Sequence, residues 1–183
     1  DKADAFSGAT PLGQMMTGAK VPTTSICDMI TGFMPGSVGE TSLIAIGLGA
    51  VLLLITNIAS WRIMLSVFIG GAAMGITFNL IGMNNYMNLP FYYHFLMGGF
   101  AFGAVFMATD PVTAAQTNKG KWIYGLLIGA LTVMIRVVNP AYPEGMMLAI
   151  LLMNVFAPLI DYYVVQANIN RRKKREKVLI KNN

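Results

Sequence analysis

Between Glu40 and Asp110 a single charged side chain, Arg62, interrupts the sequence. About a quarter of the residues in a soluble domain are charged, so no half-exposed surface can be built from such a stretch. It needs apolar surroundings on every side. The whole 183-residue chain agrees, with 55% hydrophobic residues, 11% charged residues and a mean hydropathy of +0.60. Nineteen glycines fit as well, because glycine is more frequent in membrane helices than in soluble ones. One cysteine excludes a disulfide scaffold, and the apolar content excludes a disordered tail. The class expected is an all-α integral membrane protein.

Crossing about 30 Å of hydrocarbon takes about 20 helical residues. Five segments qualify: 42–60, 63–82, 91–108, 122–138 and 146–165. Almost no loop separates the first two, which predicts a tight helical hairpin. The organisation expected is an irregular outer-face leader over 1–41, five transmembrane helices over 42–165 and a basic tail over 166–183. Small residues such as Gly47-Leu48-Gly49-Ala50, Gly70-Gly71-Ala72-Ala73 and Gly98-Gly99 allow close helix contact.

The net charge of +5 divides unevenly. Residues 171–183 hold seven Lys or Arg and one Glu, a surplus of six, while the rest of the chain sums to −1. A basic run after an apolar segment marks a cytoplasmic end and attracts anionic lipid, so no nucleic-acid partner is expected. With an odd number of spans, Arg62 and the Lys119/Lys121 loop fall on the side of that tail. Asp1, Asp4, Asp28, Glu40 and Glu144 fall on the other, the leader's side.

That leader contains Asp4-Ala5-Phe6-Ser7-Gly8-Ala9-Thr10, followed by Pro11, which biases Thr10 to an extended conformation. The word D-x-x-S-G-A-T resembles the acceptor motif of flavin transferases, which link FMN through its phosphate to the final threonine hydroxyl. Asp4, Ser7, Gly8 and Ala9 would present that hydroxyl to the modifying enzyme. Further words are Gly36-Ser37-Val38-Gly39-Glu40-Thr41-Ser42, Thr109-Asp110-Pro111-Val112-Thr113, Arg136 through Gly145, and Asn154 through Asp161. With these, nearly the whole chain resembles the B-subunit family of bacterial sodium-translocating NADH:quinone oxidoreductases. The D-subunit family of the Rnf complex is the related second choice.

The resemblance implies ten helices in two inverted halves, of which this chain, opening on Asp1 rather than Met, would be the C-terminal one. It also implies covalent FMN on Thr10, with riboflavin or other flavins elsewhere in the complex. Electrons would pass from NADH toward ubiquinone or menaquinone, coupled to Na+ export across the bacterial inner membrane. Thr10 would be periplasmic and the C-terminus cytoplasmic. The implied partners are other subunits, the N-terminal half of the same subunit, a flavin transferase, quinone, Na+ and the lipid bilayer. NADH would bind elsewhere, since no G-x-G-x-x-G occurs in a βαβ setting. A channel or transporter is the rival class, because inverted helical repeats serve those too.

Several residues carry paired readings. Gly36 to Ser42 can be a helix cap, with Ser37 or Thr41 capping and Glu40 in the first turn, or a cradle for the FMN phosphate involving Gly39 and Glu40. Arg136 can pair with Glu144 or a lipid phosphate, or reach the flavin phosphate. Asp110 and Asp161, at membrane depth or near it, can serve Na+. Their alternatives are an Asx-turn or N-cap before Pro111 and a helix-end carboxylate in water; Pro158 would free a carbonyl near Asp161. His94 belongs to an interfacial aromatic cluster, and Cys27 has no intrachain partner. Asn57, Asn79 and Asn154 suit interhelical hydrogen bonds. Met15, Met16, Met29 and Met34 suggest a leader lying on the membrane surface.

Overall fold

The computed structural model describes residues 9–16, 22, 24–83, 87–139, 142 and 144–182. Two short helices, α1 (Pro11–Met16) and α2 (Ile26–Thr31), precede α3 (Leu43–Ile55) and α4 (Trp61–Ile81). Two pieces follow, α5 (Tyr93–Leu96) and α6 (Phe100–Phe102), the latter continued by a π-helical turn over Gly103–Met107. Then come α7 (Asn118–Val138) and α8 (Met146–Asn182). No strand occurs among the described residues.

Among the described residues, three stretches are long and apolar enough to cross a membrane: Trp61–Ile81, Asn118–Val138 and Met146–Arg175. At about 1.5 Å per residue, a 21-residue helix covers about 31 Å. The other two expected spans take different forms. α3 has 13 residues and stops where Asn57, at φ 56°, turns left-handed, so Asn57 shapes a turn rather than bridging helices. The segment 91–108 is a broken helix. Met97 is extended and Gly98 has φ 63°, so the chain changes direction between α5 and α6. α3 leans on that broken segment, where the Phe106 ring fills the space a Cβ on Gly49 would need; the tight α3–α4 hairpin is not formed.

α4 and α7 make the closest crossing. A Cβ added to Gly129 would run into the carbonyl of Val67, one on Gly70 into that of Leu126, and one on Gly125 into Ser66. Gly125 and Gly129 stand one turn apart, as do Ser66 and Gly70, so both helices contribute small residues at the spacing that lets backbones touch. The Ser66 hydroxyl donates to the Ile63 carbonyl at 3.0 Å and lies 3.3 Å from that of Lys121. Arg62 Nη1 donates to Asn118 Oδ1 at 3.1 Å, which puts both N-termini at one end and makes α4 and α7 parallel.

α8 runs antiparallel to α7. Thr132 meets Met146, Tyr124 donates to Asn154, and Thr117 donates to Asp161, so each step along α7 is matched by an opposite step along α8. Asn154 is thus the interhelical bridge its sequence context suggests. Past Asp161 the helix continues through the basic run, so 166–182 of the basic tail is helical.

The described part of the leader is partly helical and packs inward, while the Met16 side chain lies outside the described residues. Leu12, Met15 and Met29 are buried in the same core as Phe100, Ile128 and Met146, with Met34 packed against it. The structure therefore has two chemically different ends. One gathers Arg62, Lys119, Lys121, Asp110 and Asp161; the other gathers Thr10, Glu40, Gly98, Glu144 and Arg136.

Candidate functional site

At the leader end, Thr10 is the N-cap of α1. Its Oγ1 accepts from the Gly13 amide at 3.0 Å, and its carbonyl accepts from the Gln14 amide at 2.9 Å. Pro11 fills the first helical position, where its missing N–H would have no partner anyway. Leu12 and Met15, pointing inward, fix this turn to the core while Ala9 and Thr10 stay exposed. The result is a solvent-facing hydroxyl on an anchored backbone. Asp4, Ser7 and Gly8 lie outside the described residues.

Thr10 borders a recess of about 30 Å³ with Gly36, Ser37, Glu40, Gly98 and Glu144. A second recess of about 250 Å³ shares Ser37, Glu40 and Glu144 and adds Gly99, Tyr142 and Met147. Two carboxylates therefore converge on the break at Gly98-Gly99. Glu144 Oε2 accepts from the Gly99 amide at 3.3 Å, and the Glu40 carboxylate would stand 2.9 Å from a Cβ on Gly99. Burial, then the neighbouring Glu144 charge, raises the Glu40 pKa above its ordinary value.

Glu40 reaches this position through a turn, not a helix. Its amide donates to the Ser37 carbonyl at 3.2 Å, and Gly39 supplies φ 86°. α3 starts later, with Ser42 as N-cap accepting from the Ala45 amide at 3.4 Å. Ser37 and Thr41 are therefore not the caps, and Glu40 is not in the first helical turn.

Arg136 is fully buried. Nη1 donates to the His94 carbonyl at 2.6 Å, Nη2 to the Met97 carbonyl at 3.1 Å and Nε to the Glu144 carbonyl at 3.2 Å. The guanidinium also faces the Phe100 ring at 5.7 Å. Its fork thus ties the end of α5 to the chain entering α8, supplying donors to carbonyls that a continuous helix would have satisfied itself. Burial separates it from lipid phosphate. His94 is likewise buried.

At the other end, the carboxylates organise a loop. Asp110 Oδ2 accepts from the Thr113 amide at 3.0 Å and hydroxyl at 2.7 Å, the Asx-type turn that the sequence offers as one alternative. The Thr113 hydroxyl, then its amide, lowers the Asp110 pKa. Asp161 crosses to the start of α7: Oδ1 accepts from the Thr117 amide at 3.0 Å and hydroxyl at 2.6 Å, and Oδ2 from the Gln116 amide at 2.6 Å. It is thus a tether between elements, not a helix-end group standing in water. Among the described residues no three His, Cys, Asp or Glu side chains cluster as a metal site.

Glu144 and Gly98-Gly99 belong to the site although sequence reasoning does not place them there. Their signal is a glycine pair inside an apolar segment facing an acid outside it; only the fold brings 98 and 144 together. Thr117 escapes sequence reasoning too, although a threonine three residues before Gly120 has the form of an N-cap.

Residues 1–170 match the model of the NQR2, RnfD, RnfE family. The chain belongs to that family. Its relatives include the B-subunit of the Na(+)-translocating NADH-quinone reductase from Chromohalobacter salexigens, 56% identical over 95% of this chain. The corresponding B-subunits of Klebsiella pneumoniae and Haemophilus influenzae are 54% and 53% identical over 94% of it. In each case the chain spans 44% of the relative's length. For an NQR2/RnfD/RnfE member, the all-helical structure with three membrane-length apolar helices is that of a membrane protein.

Proposed function

We propose that this NQR2/RnfD/RnfE member is the flavin-bearing part of a subunit of a Na+-translocating NADH:quinone reductase, with FMN joined through its phosphate to Thr10. The observation that carries the reading is the Thr10 hydroxyl itself: exposed, at the end of D-x-x-S-G-A-T, and on a turn pinned by Leu12 and Met15. The residues fit the group at its attachment point. The adjoining recess of about 30 Å³ admits a group of about one water's size, so the ring system would lie outside it. FMN so linked supplies reversible electron uptake between an NADH-oxidising partner and quinone.

The chain's own contribution is positional. Thr10 carries the linkage, with Asp4, Ser7, Gly8 and Ala9 as the transferase's recognition word. Gly39 and Glu40 form the turn facing it, and Arg136 stiffens the broken helix behind it. The names of the relatives favour the quinone reductase over an Rnf complex or a channel. By the distribution of basic residues, the end with Arg62, Lys119 and Arg171 is cytoplasmic and Thr10 is periplasmic in the bacterial inner membrane. Asp110 and Asp161 belong to the proposal as oxygen donors available to Na+ at the cytoplasmic end; their hydrogen bonds support the loop-holding role more directly.

Expression of the full-length subunit with a flavin transferase, followed by denaturing electrophoresis under ultraviolet light, tests the linkage. A fluorescent band whose flavin maps to Thr10 by peptide mass spectrometry, and which darkens in Thr10→Ala, is the expected result. A dark wild-type band, with the transferase active on another acceptor, would sink the assignment.

A further inference from the structure

Halfway along the membrane-spanning part of α8, a polar group stands at the edge of the bundle. Asn154 lies eight residues past Met146 and seven before Asp161, so about 12 Å and about 10 Å of helix separate it from the two ends. We propose that Asn154 is one side of a mid-membrane docking point whose other side is a further membrane helix of the full-length subunit, one that carries an amide or hydroxyl side chain.

Unfilled hydrogen-bonding groups carry the argument. A side-chain amide offers two N–H donors and a carbonyl acceptor. Asn154 Oδ1 accepts from the hydroxyl of the buried Tyr124, and among the described residues this is the only side-chain hydrogen bond that Asn154 makes. Nδ2 is left with both donors, and it opens on the surface of the bundle rather than into the core. The surroundings agree: on α8, Asn154 stands between the buried Ile150 and Ala157 and the exposed Leu151 and Pro158. Pro158 adds a second open group. It has no N–H, so the Asn154 carbonyl, four residues back, lacks its helical donor. A donor and an acceptor therefore sit together at mid-membrane depth, where hydrocarbon supplies a partner to neither.

That pair selects the occupant. An acyl chain satisfies nothing, and a purely apolar helix does no better. A helix with an amide or hydroxyl side chain accepts from Nδ2 and donates to the freed carbonyl, as polar side chains do between membrane helices. The flanking surface suits a helix as well. Met147, Leu151, Pro158 and Tyr162 are all exposed and follow one another at steps that keep them on one face beside Asn154. The relatives show where such a helix can come from: the matched stretch is 44% of their length, so more than half of each lies outside it. A helix on the same chain is held near α8 by its tether, at an effective concentration that a separate chain does not have.

Two measurements on the full-length subunit in its intact complex test this, and neither reads the flavin. In the first, Leu151 or Met147 is replaced by the photo-crosslinker p-benzoylphenylalanine, with Phe156, across the exposed face of α8, as the reference position. Irradiation should join α8 at 151 or 147 to a peptide of the same subunit outside residues 1–183, an apolar stretch containing Asn, Gln, Ser or Thr. Capture of lipid alone, of another subunit, of a second copy or of a wholly apolar peptide would each overturn the proposal, as would equal capture of that peptide from position 156. The second measurement places Asn154→Leu in a Tyr124→Phe background, where the known partner of Asn154 is already gone. If Asn154 faces lipid, removing its amide from hydrocarbon leaves the melting temperature unchanged or raises it, and the proposal fails. If it is docked, the melting temperature falls.

Discussion

Replacing Arg136 by lysine keeps the charge and removes the fork. In the native structure three guanidinium nitrogens each donate to a different carbonyl, those of His94, Met97 and Glu144. One ammonium cannot occupy three positions along a planar group, so at least two bonds are lost. Hydrogen bonds from a charged donor contribute about 1.5–3 kcal/mol each, which sets the loss at about 3 kcal/mol or more. The carbonyls left behind sit at the α5–α6 break, so the loosening should be local. At about 1.4 kcal/mol per factor of ten, opening of the break becomes more than 100-fold more frequent. Hydrogen–deuterium exchange of the detergent-solubilised complex reads this directly, through a peptide spanning 93–103. Its reporter amides are Met97, bonded to the Tyr93 carbonyl at 3.0 Å, and Gly103, bonded to that of Gly99 at 2.8 Å. Peptides from α4 serve as the internal reference. Unchanged exchange over 93–103 in Arg136→Lys would refute the claim that the fork holds the break. Equal acceleration throughout α4 would show a global effect instead.

The other sites lend themselves to shorter tests. Gly129→Ala forces a Cβ against the Val67 carbonyl, and with backbone on both sides the overpacking should lower stability by about 1–3 kcal/mol; Gly47→Ala, with open space around it, should raise it by about 0.5–1 kcal/mol, both read by thermal unfolding in detergent. Glu40 has a raised pKa, so its folded form holds a proton more tightly than its unfolded form, and stability falls as pH rises from its ordinary value of 4.5 through the raised folded value. Glu40→Gln should therefore raise the melting temperature at pH 7 and leave it unchanged at pH 4; equal shifts at both would contradict a cost of burying this carboxylate in its ionised form beside Glu144. Asp161→Ala removes the acceptor for Gln116 and Thr117, and faster exchange over 114–120 with little change in α4 is the expected signature.

The long helices are legible in the sequence because their cause is local. α4, α7 and α8 are uniformly apolar over a membrane's thickness, and that requirement belongs to each segment alone. Their ends are less visible. α7 begins at Asn118, four residues before the apolar run, because Thr117 caps it, and α8 continues into the charged run because charge does not stop a helix. The segment 91–108 looks like a span because hydropathy counts side chains and not backbone bonds. What breaks it is a glycine in the left-handed region together with an arginine from 38 residues further on, a tertiary cause. The leader shows the same limit. Its methionines read as surface contacts because nothing in a sequence distinguishes lying on apolar material from lying within it. Thr10 is recognisable as part of a word, while the acidic pair behind it requires residues 40, 98, 99 and 144 to be neighbours.

The parallel alignment of α4 and α7 also has an electrical consequence. Neighbouring helices that alternate in direction largely cancel their peptide dipoles, but two aligned helices add theirs, each equivalent to about half an elementary charge of opposite sign at its two termini. Their positive termini coincide with Arg62, Lys119 and Lys121, and their negative termini point toward the end that holds Glu40 and Glu144. α3, which starts beside Glu40, and α8, which starts just after Glu144, run the opposite way and offset this sum, and Arg136 in the last turn of α7 neutralises another part. The Thr10 end therefore gathers helix termini of both signs, so the two carboxylates beside it, rather than a net helix dipole, decide the potential felt by any group held there.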